Sequence, residues 1–470
     1  PDVAFFAQIS DGRTFGSEGA AGNTAVTNAN GNGLDLHQGY IQLKNLLISG
    51  LSLKAGRQEI IFGDHRLFGN FAWSQNGNAF DGVRLTHSTQ QADVDLFWIR
   101  TVDTCATGAN ANAANCAGSG AAPFPAGAAV GTAGASGTFG TRNQDLYGAY
   151  VTLKPIKSWT IEPYLILLAD SRGSNPNSAG TGSATTAINT AQFTSQTRNF
   201  LGGRINGKAG SGAVLDFTYE GNYQFGSAMD HCTRNAGLAS ACAGAPGASS
   251  GTTSSMTGGR NAHISATQQA IKTGLTFDAV PMKPRLGYEF NYASGDKCSN
   301  GPQGGDNGAC GGRTRIGLAD NLFPTNHFHM GYMDMMAWKN MVNHQIMFDV
   351  KPSPVSKLQF NYIIHRLANT ADNWYRANQA VYAVSRSTNQ EASLGQELDV
   401  HYWHTFKEKF KFEIGFGHFF AGKYLKNTAS ALTNSSHGAA TLNASAITPG
   451  GTNATLVDQN WGYVMGSIIF

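Results

Sequence analysis

Six cysteines fall into three close pairs, Cys105/Cys116, Cys232/Cys242 and Cys298/Cys310, separated by 11, 10 and 12 positions. Each pair lies in a Gly/Ala/Asn-rich stretch. Joining near neighbours is the most economical of the connectivities that six thiols allow. Each bridge would close a loop of roughly a dozen residues, worth about 2–3 kcal/mol in lost chain entropy. Such bridges belong to an oxidising place, the periplasm or the cell exterior. Buried thiols or metal ligands are the alternative, but no C-x-x-C occurs and no histidine pair sits beside them at zinc spacing.

Other residues with chemical potential are sparse. His327 and His329 stand two apart with no third ligand nearby, so no metal is assigned. The stretch from Asp296 to Asp306, with Asn300 and several glycines, offers loop oxygens of the kind calcium takes. A solvated loop is the simpler reading. There is no G-x-S-x-G elbow, no H-E-x-x-H and no phosphate-binding P-loop. His401 and His404 lie among carboxylates, which suggests polarity of a wall rather than a base. No nucleophile is marked, so neither an enzyme nor a cofactor is expected.

The elements carrying these residues are bounded by composition. Of 470 residues, 33 are basic and 30 acidic, a net +3. That near balance argues against a dedicated nucleic-acid binder. Charged residues make up 13%, about half the usual share. Glycine, at 58 residues, is about 12% against a usual ~7%. No run approaches the length of apolar residues that a membrane helix needs. Aromatics at 10% are too many for a disordered chain. What remains is an all-β protein, soluble or set in an outer membrane. Residue 1 is Pro, and Pro1 to Ser10 already reads as a strand. A trimmed N-terminus is expected, and the missing signal peptide does not argue against export.

The hydrophobic period is two. Leu215, Phe217, Tyr219, Tyr223 and Phe225 alternate with Asp216, Thr218, Glu220, Asn222 and Gln224. Leu286, Tyr288, Phe290 and Tyr292 alternate with Arg285, Gly287, Glu289 and Asn291. The pattern predicts sixteen strands, at 2–10, 36–46, 51–62, 78–88, 92–102, 143–154, 158–169, 197–208, 213–226, 264–277, 284–294, 340–350, 356–366, 393–405, 409–420 and 459–470. The connections alternate strictly. Long ones lie near 11–35, 63–77, 103–142, 170–196, 227–263, 295–339, 367–392 and 421–458, with short turns between. A soluble sandwich has no reason for this. A transmembrane barrel does, because its periplasmic turns are short and its extracellular loops long. All three cysteine pairs fall in long connections, on one side. Strands of about 11 residues suit a tilted span, and the lack of water in lipid requires a closed sheet. The chain is therefore read as a transmembrane antiparallel β-barrel forming a single domain over 1–470. Its aromatic faces turn to lipid and its polar faces enclose a lumen. The aromatic Phe470 after an alternating strand fits such a barrel.

Several segments go beyond barrel grammar. They are LKAGRQEIIFGDHRL at 53–67, NAFDGVRL at 78–85, YEFNYASGD at 288–296, LFPTNHFHMGYMDMMAWKNM at 322–341, SLGQELDVHYWHTF at 393–406 and FEIGFGHFFAG at 412–422. Together and in order, they resemble the alginate export family of outer-membrane porins. The resemblance runs over about 36–470. It implies a monomeric barrel of eighteen strands that passes an anionic polyuronate through a basic pore. The sequence shows sixteen; a hairpin before Pro1 would reconcile the two counts. By the matching motifs, the resemblance implies pore arginines at Arg57, Arg66 and Arg84.

Alternation supplies the remaining inward residues. The basic set is Lys54, Arg84, Lys154, Arg198, Arg204, Lys208, Lys272, Arg285 and Lys411. The acidic set is Asp93, Asp95, Glu162, Asp216, Glu220, Glu289, Asp349, Glu397, Asp399 and Glu413. This balance departs from a strongly basic conduit, and many of these charges should pair across strands. Arg57, Arg66, Arg84, Arg198 and Arg204 are the candidates for a local basic arc. The segment 322–341 is too apolar for a free exterior loop. Either Phe328, Met330, Tyr332, Asp334 and Trp338 fold into the mouth as a constriction, or the segment adds a hairpin to the wall.

The functional reading is a porin of the bacterial outer membrane for passive passage of small polar or anionic solutes, an anionic saccharide among them. The alternatives are a general, weakly selective porin and a structural or adhesive barrel presenting disulfide-pinned loops. Expected surroundings are outer-membrane lipid and lipopolysaccharide, with no nucleic acid. A monomer is favoured, and a trimer is the alternative.

Overall fold

The computed structural model describes residues 2–12, 33–73, 77–103, 143–170, 196–231, 259–297, 315–377, 379, 381–383, 390–427 and 458–469. All six cysteines lie outside these residues: Cys105 and Cys116, Cys232 and Cys242, Cys298 and Cys310. The three bridges expected from their spacing therefore fall outside the described residues. Phe470 and most of the stretch from Asp296 to Asp306 also lie outside the described residues.

The first nine strands are β1 (Asp2–Gly12), β2 (Gly33–Lys44), β3 (Leu51–Gln58), β4 (Phe80–Ser88), β5 (Ala92–Asp103), β6 (Asn143–Ile156), β7 (Trp159–Asp170), β8 (Gln196–Ala209) and β9 (Ala213–His231). They are followed by β10 (Gly259–Phe277), β11 (Arg285–Ala293), β12 (Arg315–Ile316), β13 (Met341–Ser353) and β14 (Ser356–Leu367). The chain then forms β15 (Trp374–Tyr375), β16 (Val381–Ala383), β17 (Ser393–Phe406), β18 (Phe410–Ala421), a short helix α1 (Lys423–Asn427) and β19 (Gln459–Ile468).

Sixteen of these strands are long, and they are the sixteen that the period of two predicts. Each pairs antiparallel with the next long strand, from β1 with β2 through to β18 with β19. The two-residue β12 joins β10 in parallel, which makes the sheet 17-stranded. Among the described residues no ladder joins β19 to β1, and the eighteen strands implied by the resemblance are not reached. β15 and β16 form a separate two-stranded sheet.

β7 shows why the sheet belongs in lipid. Its outward Ile161, Leu165 and Leu167 are exposed, while Glu162, Tyr164, Ile166 and Leu168 between them are buried. Outward Val83, Leu85, Leu96, Trp98 and Tyr147 continue the same apolar surface. In water, so large a patch would be an association hazard. Against hydrocarbon it costs nothing, while every backbone group within the ladders stays paired.

The inner face differs from the expected wet wall. Towards the long-loop end its inward residues are apolar: Phe80, Phe97, Ile99, Leu146, Ile166 and Phe200 are all buried. Their partners are two segments that leave the wall and fold inside. The first follows β3, which ends at Gln58 rather than at 62. Beyond it Ile60, Phe62, Leu67 and Phe68 are buried in the interior. The second runs from 317 to 340. Met330, Met333, Met335, Met336 and Trp338 of that segment join the same core. It adds no hairpin to the wall, because β11 pairs directly with β13.

Candidate functional site

The two inward segments hold each other. Phe68 and Phe323 form a parallel bridge. Gly69 N–H donates to the Phe323 carbonyl at 2.8 Å, and Phe323 N–H donates to that of Leu67 at 2.9 Å. Thr325 N–H donates to the His65 carbonyl at 2.8 Å, and the Thr325 hydroxyl accepts from Phe71 N–H at 3.1 Å. The backbone polar groups of two irregular segments are thereby satisfied away from water, as burial requires.

Around them the wall carries charge. Arg66, in the first inward segment, donates to Glu289 at 2.6 Å and to Asn291 at 2.7 Å. Its guanidinium also lies 3.9 Å from Glu220 and faces the Trp338 ring at 5.6 Å. Glu289 further meets Lys272 at 3.3 Å and His329 at 3.1 Å. Arg204 bridges wall and segment, donating to Glu162 at 2.8 Å and to Asp64 at 2.5 Å. Arg84 donates to Asp95 at 2.7 Å. Arg198 has neutral acceptors, Gln224 at 2.6 Å and the Leu318 carbonyl at 3.0 Å. Nearer the short turns, Arg285 clasps Asp216 and reaches Asp349, which also meets Lys357 at 3.3 Å. Lys357 is a further inward cation, outside the set expected from alternation, in the inward phase of β14 opposite Trp403.

Of the five arginines proposed as an arc, Arg66, Arg84, Arg198 and Arg204 line one interior. Arg57 does not. Lys54 stands opposite Arg84 in the ladder and Arg57 opposite Asp81, so alternation puts Arg57 on the outer face. There it lies 3.8 Å from Asp81, itself mostly exposed.

In the second segment, Met330, Tyr332 and Trp338 are buried, whereas Phe328 and Asp334 keep much of their surface exposed. The wall grips this segment through its backbone. Glu397 accepts from Met333 N–H at 2.8 Å, and Asp399 accepts from Tyr332 N–H at 3.4 Å. Both carboxylates are fully buried, and His365 lies 3.4 Å from Glu397. His327 and His329 serve different neighbours. His327 stacks on Trp73 and lies 3.1 Å from Asp334, while His329 donates to the Asp64 carbonyl at 2.8 Å.

Outside the membrane, Asp372 organises the loop after β14. It accepts from Asp296 N–H at 2.6 Å and from the Tyr375 hydroxyl at 2.9 Å. Burial pushes its carboxyl up to about 7.

The arrangement is a strand wall around a partly filled interior, with paired charges where the wall and the inward segments meet. The family model for alginate export matches residues 2–122 and 136–438. The chain belongs to the alginate export family.

As a member of the alginate export family it is a β-barrel of the bacterial outer membrane, surrounded by lipid, and a channel for small solutes. Among solved structures, the chain is similar to the outer membrane protein OprD from Pseudomonas aeruginosa. The TM-score is 0.45 at 10% identity, over 93% of this chain and 78% of that one. Pseudomonas aeruginosa OccD3 (OpdP) gives 0.44 at 11% identity, over 83% and 74%. Acinetobacter baumannii OccAB1 gives 0.45 at 11%, over 92% and 76%. Comparison with curated proteins gave no match.

Proposed function

We propose that the protein passes small anionic solutes, with an anionic saccharide as the class its family description suggests. One observation carries the preference for anions. Lys54, Lys208 and Lys411 are in the inward phase near the short turns, with no carboxylate within 4.0 Å among the described residues. Short turns mark the periplasmic side. Unpaired cations at that entrance raise the local concentration of anions, and low-dielectric walls focus the field.

A second reading, a weakly selective porin, draws on the pairing farther in. There Arg66, Arg84 and Arg204 each face a carboxylate, as Arg285 does nearer the short turns, which mutes their field. In either case the protein is a channel without a chemical step of its own, a monomer among outer-membrane lipid and lipopolysaccharide. The spacing of the cysteines supports three local bridges, Cys105 to Cys116, Cys232 to Cys242 and Cys298 to Cys310. Peptide mapping without reduction should recover each pair as one linked fragment, and mixed pairs would refute the local connectivity.

The deciding measurement for transport is reversal potential across a planar bilayer in a salt gradient. Anion preference that shrinks in Lys54→Gln, Lys208→Gln and Lys411→Gln supports the first reading. Equal permeability favours the second.

A further inference from the structure

The inner wall of β17, β18 and β19 has a composition unlike the paired-charge belt. In register across these strands lie Asn361–Asp399–Gly417–Trp461, then Gln359–His401–Gly415–Tyr463, then Lys357–Trp403–Glu413–Met465, with β14 supplying the first member of each row. Aromatic rings alternate here with hydrogen-bonding side chains. Trp403, Trp461 and Tyr463 are half-buried and keep surface towards the lumen. From the first inward segment, Trp73 meets Tyr463 edge-on at 4.5 Å. From the second, Tyr332 lies against His401 at 3.6 Å between ring centres.

The rings are held in place. The Tyr463 hydroxyl is bonded both to Glu413 and to His401 Nδ1. Gly415 lets Tyr463 lie against the wall, because a Cβ there would come within 2.2 Å of its ring. Lys357 sits over Trp403 at 5.2 Å. Two buried imidazole nitrogens of rings packed within this cluster, His401 Nε2 and His327 Nε2, have no hydrogen-bond partner among the described residues. An ordinary apolar core has no use for such rings or for unpaired nitrogens; aliphatic side chains would fill it better.

We propose that this wall is a stacking site for pyranose rings. The C–H groups on the face of a sugar ring carry slight positive charge and pack on the negative face of an indole or phenol. The equatorial hydroxyls point sideways, where the half-buried Glu413 and Gln359 can meet them. Recognition of this kind reads the ring and not its charge, so neutral saccharides bind as well. The inference rests on the saccharide reading above and gives it a location separate from the arginines.

The test uses the full chain and a neutral gluco-oligosaccharide of six units. Block of the ion current in planar bilayers is recorded beside tryptophan emission of the detergent-solubilised protein. The wild type should show reversible block and an emission shift that both saturate. Trp403→Ala and Trp461→Ala should each weaken the two responses about tenfold, and Trp403→Phe should recover part of the loss. A wild type without an emission response, or alanine variants that respond like the wild type, overturns the site. Emission response without current would keep the site and sink the channel reading. Current without emission response would do the reverse.

Discussion

Arg66 and Glu289 meet at 2.6 Å although 223 residues separate them in the chain. Neither is open to solvent: their side chains are 1% and 0% exposed. The pair ties the segment after β3 to the far wall at β11, and Asn291 and Lys272 complete its charge and hydrogen bonding. Taking Arg66 away removes the shortest ion pair of the buried Glu289 and leaves it Lys272 at 3.3 Å. Arg66→Ala is expected to cost about 3–5 kcal/mol, read as a lower unfolding temperature of the barrel by circular dichroism. Glu289→Gln keeps the shape and an acceptor and should cost less. Equal unfolding temperatures for wild type and Arg66→Ala would mean that solvent reaches the pair.

Gly331 has φ +98°, and a Cβ there would fall 2.5 Å from a Glu397 carboxylate oxygen. Gly331→Ala is therefore expected to push the second inward segment off the wall, at about 1–3 kcal/mol. Single-channel conductance should rise and become noisier, and removal of 324–337 should raise it further. Unchanged conductance in both variants would argue that the segment does not narrow the path.

Asp372 sets a pH dependence outside the membrane. Burial raises its carboxyl to about 7, above the ordinary ~3.9 of an unfolded chain. The folded loop thus holds a proton that the unfolded loop releases. Its contribution to stability is complete at low pH, declines as pH rises towards 7, and is gone above it. Protection of the Asp296 and Asn373 amides, taken relative to their intrinsic base-catalysed exchange, should be greater at pH 5 than at pH 8, and Asp372→Asn should erase that difference. Greater protection at the higher pH would reverse the sign and refute the assignment.

Leu165 lies midway along the outer face of β7, in register with Ala149 on β6 and Leu201 on β8. An arginine there would sit in hydrocarbon. Leu165→Arg should destabilise the folded barrel by about 2–4 kcal/mol, measured by urea unfolding in lipid vesicles. The same change at Thr152, in the inward phase of β6, should cost far less.

The wall was legible because lipid and lumen impose alternation, residue by residue. β7 and β9 carry their sidedness in the sequence, and so do the inward Arg84, Arg198, Arg204 and Arg285. Arg57 was misplaced because a family motif gives residue type but not strand phase; its ladder partner Asp81 carries that information. The inner layer was half visible. The apolar run at 322–341 signals burial but not where; the direct pairing of β11 with β13 excludes a wall hairpin. The companion segment was hidden, since Ile60, Ile61 and Phe62 read as a continuation of β3. Phe62 packs on Phe97 of β5 and stacks on Tyr150 of β6, and no local period reports a contact of that range.

The bond from Phe71 N–H to the Thr325 hydroxyl spans 254 positions, and this has a consequence for biogenesis. The first inward stretch must wait without its mate until the strands between them have been threaded. The methionine-rich stretch remains uncovered over the same interval. Contacts of such separation form late and slowly. Escorts that shield nascent barrels should therefore be needed longest by this middle portion of the polypeptide, and filling of the interior should be the final step of maturation, after insertion.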